Sequence, residues 1–154
     1  EHVAMVVEGG DDPTVVEATP DKGVQITTWS GLKQTHRSAR IFRGRVTTAT
    51  PQQAAEAGKL AASWVGAAYA SDFEPPEGSA PRFYCSSLVD AGFQEAMGEE
   101  LVFTSEPFTL LFEPREFWIK YYGQKGLPEA VGSNPTLLLF SPAVEATELM
   151  EGSL

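Results

Sequence analysis

An α+β fold, with an antiparallel sheet packed against helices, is predicted by three features of the sequence. Short β-branched runs separated by turn residues crowd the first third of the chain, an alanine-rich stretch with helical spacing follows, and a further helical pattern opens at the only cysteine, Cys85. The whole reads as α+β with an antiparallel sheet. No internal repeat is visible.

Val3 to Glu8 and Thr14 to Ala18 read as two strands joined through Gly9-Gly10-Asp11-Asp12-Pro13, a turn-rich cluster suited to a hairpin. In Gly23 to Thr28, Val24 and Ile26 alternate with Gln25 and Thr27, so a third strand has one face buried and one wet. Arg40 to Thr47 is a fourth strand, with Ile41, Phe42 and Val46 as its apolar residues. Thr50-Pro51-Gln52-Gln53 then opens a helix: Thr50 can cap it, Pro51 suits the first helical position and Gln53 completes a capping box. Ala57, Leu60, Ala61, Trp64 and Ala68 form its core stripe, and Gly66 is the expected terminator.

Glu74-Pro75-Pro76-Glu77-Gly78-Ser79 reads as an exposed loop leading into the Cys85 segment. A helix from Ser86 to about Met97 should bury Leu88, Val89, Phe93 and Met97, with Gly98 as its C-cap. Pro114 to Tyr122 is a further helix, stopped by Gly123. The tail is expected to hold a strand over Leu137 to Phe140 and a short helix opened by Ser141-Pro142.

At 154 residues the chain is most economically one domain over positions 1–154, long enough to bury about 68 to 70% of its unfolded surface. Twenty-one acidic against 11 basic residues leave a formal charge of −10, which repels nucleic acid and anionic headgroups. The basic stretch Lys33, His36, Arg37, Arg40, Arg43 and Arg45 has no interleaved aromatic platform and reads as a solvated strand and loop face. No apolar run approaches the roughly 20 residues that span a bilayer. Glu1-His2-Val3-Ala4 lacks the basic region of a signal peptide, so a soluble chain of open compartment is expected. One cysteine permits no internal disulfide, and one Cys with two distant His residues lacks zinc-ligand spacing, so neither metal nor cofactor is expected.

Chemistry concentrates at Cys85. A helix N-terminus favours the thiolate, the form that attacks carbonyls. Such a nucleophile needs a base, and the base needs an acceptor on its far ring nitrogen. His2 begins an apolar strand, whereas His36 lies in the polar stretch Gln34-Thr35-His36-Arg37. Glu17 sits inside a half-buried strand that should pair with the His2 strand, and a carboxylate there requires a cation or an imidazole nearby. Glu8, Asp72 and Asp90 are competing candidates to orient a base.

His2-Val3-Ala4-Met5-Val6-Val7, then Val16-Glu17-Ala18, Tyr69 to Phe73 and Tyr84-Cys85-Ser86-Ser87-Leu88-Val89 resemble the circularly permuted, YiiX-like branch of the NlpC-type papain-like cysteine hydrolases. Gly123 to Pro128 and Ser141-Pro142 extend the likeness. The resemblance implies a permuted papain-like fold with the nucleophile at a helix start. It also implies Cys85 as nucleophile, His2 as general base and then acid, and Glu17 as the residue that orients His2. The backbone N–H of Cys85 would form part of an oxyanion hole, in a pocket shaped by Tyr84, Ser86 and Tyr69. Ser87 stands where that family commonly carries an acidic residue.

The implied activity is hydrolysis of an amide or peptide bond in a small peptide, such as a cell-wall peptide, through an acyl-enzyme. A second reading keeps the thiol and changes the acyl group: Phe108, Leu110, Leu111, Phe112, Phe117, Trp118, Tyr121 and Tyr122 could line a slot for a fatty acyl chain, although an ordinary core explains such a run more simply. A noncatalytic binding module on the same fold is the third reading.

Overall fold

The structure, a computed structural model, describes residues 1–37, 40–73, 80–106, 109–110, 112–123 and 131–149. The proline- and glutamate-rich loop expected at 74–79 lies outside these residues, as do Phe108, Leu111 and most of the 123–128 segment.

Strands β1 (Met5–Glu8), β2 (Thr14–Thr19) and β3 (Gly23–Thr28) form an antiparallel sheet in the order β1-β2-β3. A short loop after Thr19 and Gly23 at φ 68° close the β2–β3 hairpin, and the register that results sets Glu17 opposite Gln25. β2 is the central strand, and Val15 to Ala18 are all buried. Val16 and Ala18 enter the core with Met5 and Val24, so alternation turns Val15 and Glu17 to the other face.

Helix α1 (Trp29–Thr35) follows β3 directly, and Lys33, expected on a solvated strand and loop face, lies in it. The Thr28 hydroxyl accepts the Gly31 N–H, while the two Asp12 oxygens accept the Ser30 N–H and Ser30 hydroxyl at 2.8 and 2.7 Å. The β1–β2 turn therefore holds the start of α1, and these bonds substitute for an apolar stripe, since no residue of α1 is buried.

Helices α2 (Pro51–Ser63) and α3 (Cys85–Met97) pack together and against the sheet. The expected capping box of α2 is present, with Gln53 N–H donating to Thr50 Oγ1 and Thr50 N–H to Gln53 Oε1. Gly66, at φ 93°, takes the chain out of α2, and its N–H donates to the Val24 carbonyl. Gly98 ends α3 in the left-handed conformation at φ 67°, as its position in the sequence predicts. The helices touch closely at Gly92, where a Cβ would lie 3.0 Å from the Ala57 carbonyl oxygen and 3.3 Å from Met5 Cε. Ala57, Ala61, Leu88, Val89, Phe93 and Phe83 complete this core, and Met97 packs against it.

A second, two-stranded sheet pairs β4 (Ile41–Val46) with β5 (Val144–Leu149). The tail reverses the expected order of its elements. Pro135–Leu139 is a helix, here α5, because Asn134 Oδ1 accepts the Leu137 N–H at 2.8 Å and Pro135 occupies the first turn. The segment after Ser141-Pro142 is strand β5, whose partner β4 precedes α2 in the chain. Helix α4 (Arg115–Tyr122) is capped by Pro114 and ends at Gly123, at φ 61°.

Candidate active site

Tyr84 caps α3 with extended backbone, and Cys85 is the first helical residue. The N–H groups of a first turn have no acceptor within their own helix, so the Cys85 sulfur sits at the positive end of α3. Ser87 ties the first turn to the cap residue: its hydroxyl accepts the Tyr84 N–H at 3.0 Å and donates to the Tyr84 carbonyl at the same distance. A buried serine thus closes the start of the helix without adding a negative charge beside the thiol. Cys85 is free and 8% exposed.

His2, just ahead of β1, donates its Nε2–H to Glu17 Oε2 at 2.6 Å. Gln25, across the β2–β3 pair, donates its Nε2 to the other oxygen, Oε1, at 3.0 Å. Both carboxylate oxygens are therefore engaged on a side chain only 7% exposed. The bond to His2 holds the Glu17 carboxyl below its usual range, against the opposing effect of burial, with help from Gln25 and the charge of His36. For His2, burial is the largest single influence and pushes the imidazole down. Hydrogen bonds to Cys85 and Glu17, and the charges on both, outweigh it and raise the ring from 6.5 to about 9. With Nε2 turned to Glu17, Nδ1 is the nitrogen left to meet the sulfur.

The competing carboxylates are elsewhere. Asp72 forms an ion pair with Arg82 at 3.0 Å, Glu8 ends β1, and Asp90 lies inside α3, where burial pushes it up to about 6. Tyr84 is buried, and its hydroxyl accepts the Ser133 N–H at 3.1 Å. Tyr69 bridges in parallel to Phe83, and burial first, then the charge of Cys85, raises it to about 12. Ser86 is 0% exposed, so its hydroxyl is closed off from a substrate and only its backbone could serve the expected pocket.

Two residues escaped the sequence reading. Gln25 was legible in principle, because the turn after Thr19 sets the register that pairs it with Glu17. His36 was expected on an exposed polar face. Instead it is half-buried at the C-terminal end of α1, its ring centroid 5.1 Å from that of His2 with planes 20° apart. His2, Glu17 and His36 each offer a ligand atom, all within 4.8 Å of one another, which corrects the expectation that the histidines are too separated to share a cation.

The aromatic run also differs from expectation. Helix α4 has no buried residue, and Phe117 and Tyr121 are 55% and 49% exposed, so the α4 part of this run is not core. It forms a surface cluster of Phe73, Phe112, Phe117, Trp118, Tyr121 and Tyr122, joined to Tyr84 through Phe73 at 5.2 Å.

The family model of the permuted papain-like amidase enzymes, YaeF/YiiX, C92 family, matches residues 1–141. The crystal structure of the metalloprotein YiiX from Escherichia coli O157:H7, DUF1105, aligns with a TM-score of 0.76 at 22% identity, over 96% of this chain and 81% of that one. A search of the curated proteins finds no match. The fold is therefore permuted papain-like, and the class is that of cysteine hydrolases. Within it, the chain belongs to the permuted papain-like amidase family C92, YaeF/YiiX. Among the described residues no helix is long and apolar enough to cross a membrane.

Proposed function

We propose that this amidase cleaves an amide or peptide bond of a small peptide through an acyl-enzyme on Cys85, with His2 as proton carrier and Glu17 as its orienting partner. The observation that carries the reading is the ring of His2, bonded on one side to a buried carboxylate and coupled on the other to the only thiol. The sulfur attacks the carbonyl carbon, and the oxyanion meets the Cys85 N–H at the helix start. As the C–N bond breaks, the amine takes its proton from His2 and leaves a thioester. Neutral His2 then accepts a proton from water, whose oxygen attacks the thioester, and the sulfur departs with the carboxylic acid released. Glu17, itself fixed by Gln25, holds one ring orientation through both steps.

Intact-mass measurement during turnover of short peptide amides and activated esters tests this. An acyl adduct confined to Cys85, and absent from Cys85→Ala, is expected. Hydrolysis by Cys85→Ala at the wild-type rate would end the proposal.

The exposed aromatics of α4, continuous with Tyr84 through Phe73, favour one second reading, an acyl-directed thioesterase or acyltransferase on the same residues. Preference for long-chain over short-chain thioesters, lost in Trp118→Ala, distinguishes it from peptide cleavage.

A further inference from the structure

His36 is brought to His2 by three devices: the Thr28 cap, the Asp12 anchor on Ser30, and the end of α1, where the His36 N–H still bonds the Leu32 carbonyl at 3.1 Å. It has no part in the hydrolytic steps above. Its position does complete a set of two imidazoles and one buried carboxylate, the nitrogen and oxygen donors that zinc takes in three-ligand sites.

The geometry suits such an ion. The ligand atoms of the three residues all lie within 4.8 Å of one another, close enough for side-chain rotation to bring them onto one ion, whose Zn–N bonds are about 2.0 to 2.1 Å. The His2–Glu17 contact of 2.6 Å is a hydrogen bond and must open, by about 0.8 Å, to reach the spacing of two ligands on one tetrahedral ion. Gln25 can stay on Glu17 Oε1 while Oε2 turns to the cation.

We infer that His2, Glu17 and His36 bind one zinc-like divalent cation, and that its binding switches off the Cys85 centre. The inhibitory half rests on the hydrolytic role proposed above for His2. The cation takes the lone pair of His2 Nε2, and the proton of the His2–Glu17 bond leaves to solvent. A metallated imidazole carries its remaining proton on Nδ1, so it can no longer accept one from the thiol or from water. Cation and proton therefore compete for one nitrogen, and the same residues are either a hydrolytic centre or a metal site.

The test uses the full chain, stripped by a chelator and titrated with zinc chloride in a calorimeter. One equivalent is expected to bind. His36→Ala and the more conservative His36→Gln should each weaken it at least about tenfold, while Cys85→Ala leaves it unchanged. Thermal unfolding without metal verifies that the His36 variants are folded. In parallel, zinc should slow alkylation of Cys85 by iodoacetamide in the wild type, a chelator should restore it, and the His36 variants should be insensitive at the same zinc concentration. Absence of saturable binding, equal affinity in folded His36 variants, or loss of zinc in Cys85→Ala would each overturn the site. Zinc binding as described, with Cys85 alkylated equally fast with and without it, would overturn the switch. Failure of the hydrolytic reading registers separately, as metal-free wild type that turns over no faster than Cys85→Ala.

Discussion

Two antiparallel strand pairs in this molecule each carry a carboxylate with a cationic partner, and they use it in opposite ways. On β2, Glu17 is 7% exposed and bonded on both oxygens, to His2 and Gln25. On β5, Glu148 is 42% exposed and takes a two-pronged bond from Arg40, at 2.8 and 2.9 Å. By hydrogen-bond geometry alone the second is the stronger pair. Covering decides otherwise: β2 is buried on both faces, whereas four consecutive residues of β4 and four of β5 face water. Water and salt screen the Arg40–Glu148 pair, while the His2–Glu17 pair must be satisfied inside the protein.

The largest effect expected from breaking this contrast is at Glu17. Glu17→Ala leaves His2 without its orienting acceptor and should lower hydrolysis by about 10²-fold or more, read as kcat against the wild type. It should also cost about 2 to 3 kcal/mol of stability by denaturant unfolding. The pH dependence of that loss follows from both partners. The lowered pKa of Glu17 makes its contribution present above about pH 4.5 and lost as pH falls. The raised His2 contributes fully below 6.5, and its share disappears as pH rises through about 9. The stability difference between wild type and variant is thus widest between these limits, on the acid side of neutrality.

Asp90 sharpens the comparison, because it is a carboxylate largely removed from water whose pKa responds to burial alone. Its folded pKa of about 6 lies above the unfolded 3.8, so the protonated form is the one the fold favours. Stability should therefore fall as pH rises from about 4 to about 6 and stay lower above. Asp90→Asn should be more stable than the wild type at pH 7.5, by about 2 to 3 kcal/mol at most, and indistinguishable from it near pH 3. Denaturant melts at the two pH values measure this; equal stabilities at pH 7.5 would show that Asp90 does not titrate as described.

A smaller and purely apolar effect separates the two sheets. Val16, 0% exposed at the centre of β2, should lose about 2 kcal/mol on Val16→Ala through lost burial and a residual cavity. Phe42→Ala on β4, a larger truncation at a side chain 39% exposed, should lose less than about 1 kcal/mol. Smallest of all is Arg40→Ala, which should leave the unfolding midpoint and the hydrolytic rate unchanged in ordinary salt. A measurable drop there would mean that the β4–β5 pair is shielded by something beyond its own strands.

Legibility in the sequence followed the range of the interactions. The box at Thr50 and Gln53, the left-handed glycines 66 and 98 and the cysteine at a helix start were all readable, because each depends on residues within one or two turns. The tail was misread for the complementary reason. Leu137 to Phe140 has strand composition, but Asn134 and Pro135 start a helix, and Val144–Leu149 becomes a strand only through pairing with β4, where Arg40 and Glu148 meet across 108 positions. The aromatic run looked like core because composition cannot tell a buried face from an exposed one.

For the site, the sequence by itself determined the kinds of group available: one thiol at the positive end of a helix, two imidazoles, and a strand carboxylate in need of a partner. Those facts are local, carried by capping, alternation and turn chemistry. Only the tertiary structure decided that the Glu17 carboxylate meets the His2 ring directly and that His36 comes to lie beside it. These neighbours are set by strand register and by the direction in which α1 leaves the sheet, and no spacing along the chain encodes a distance between elements that meet only after folding.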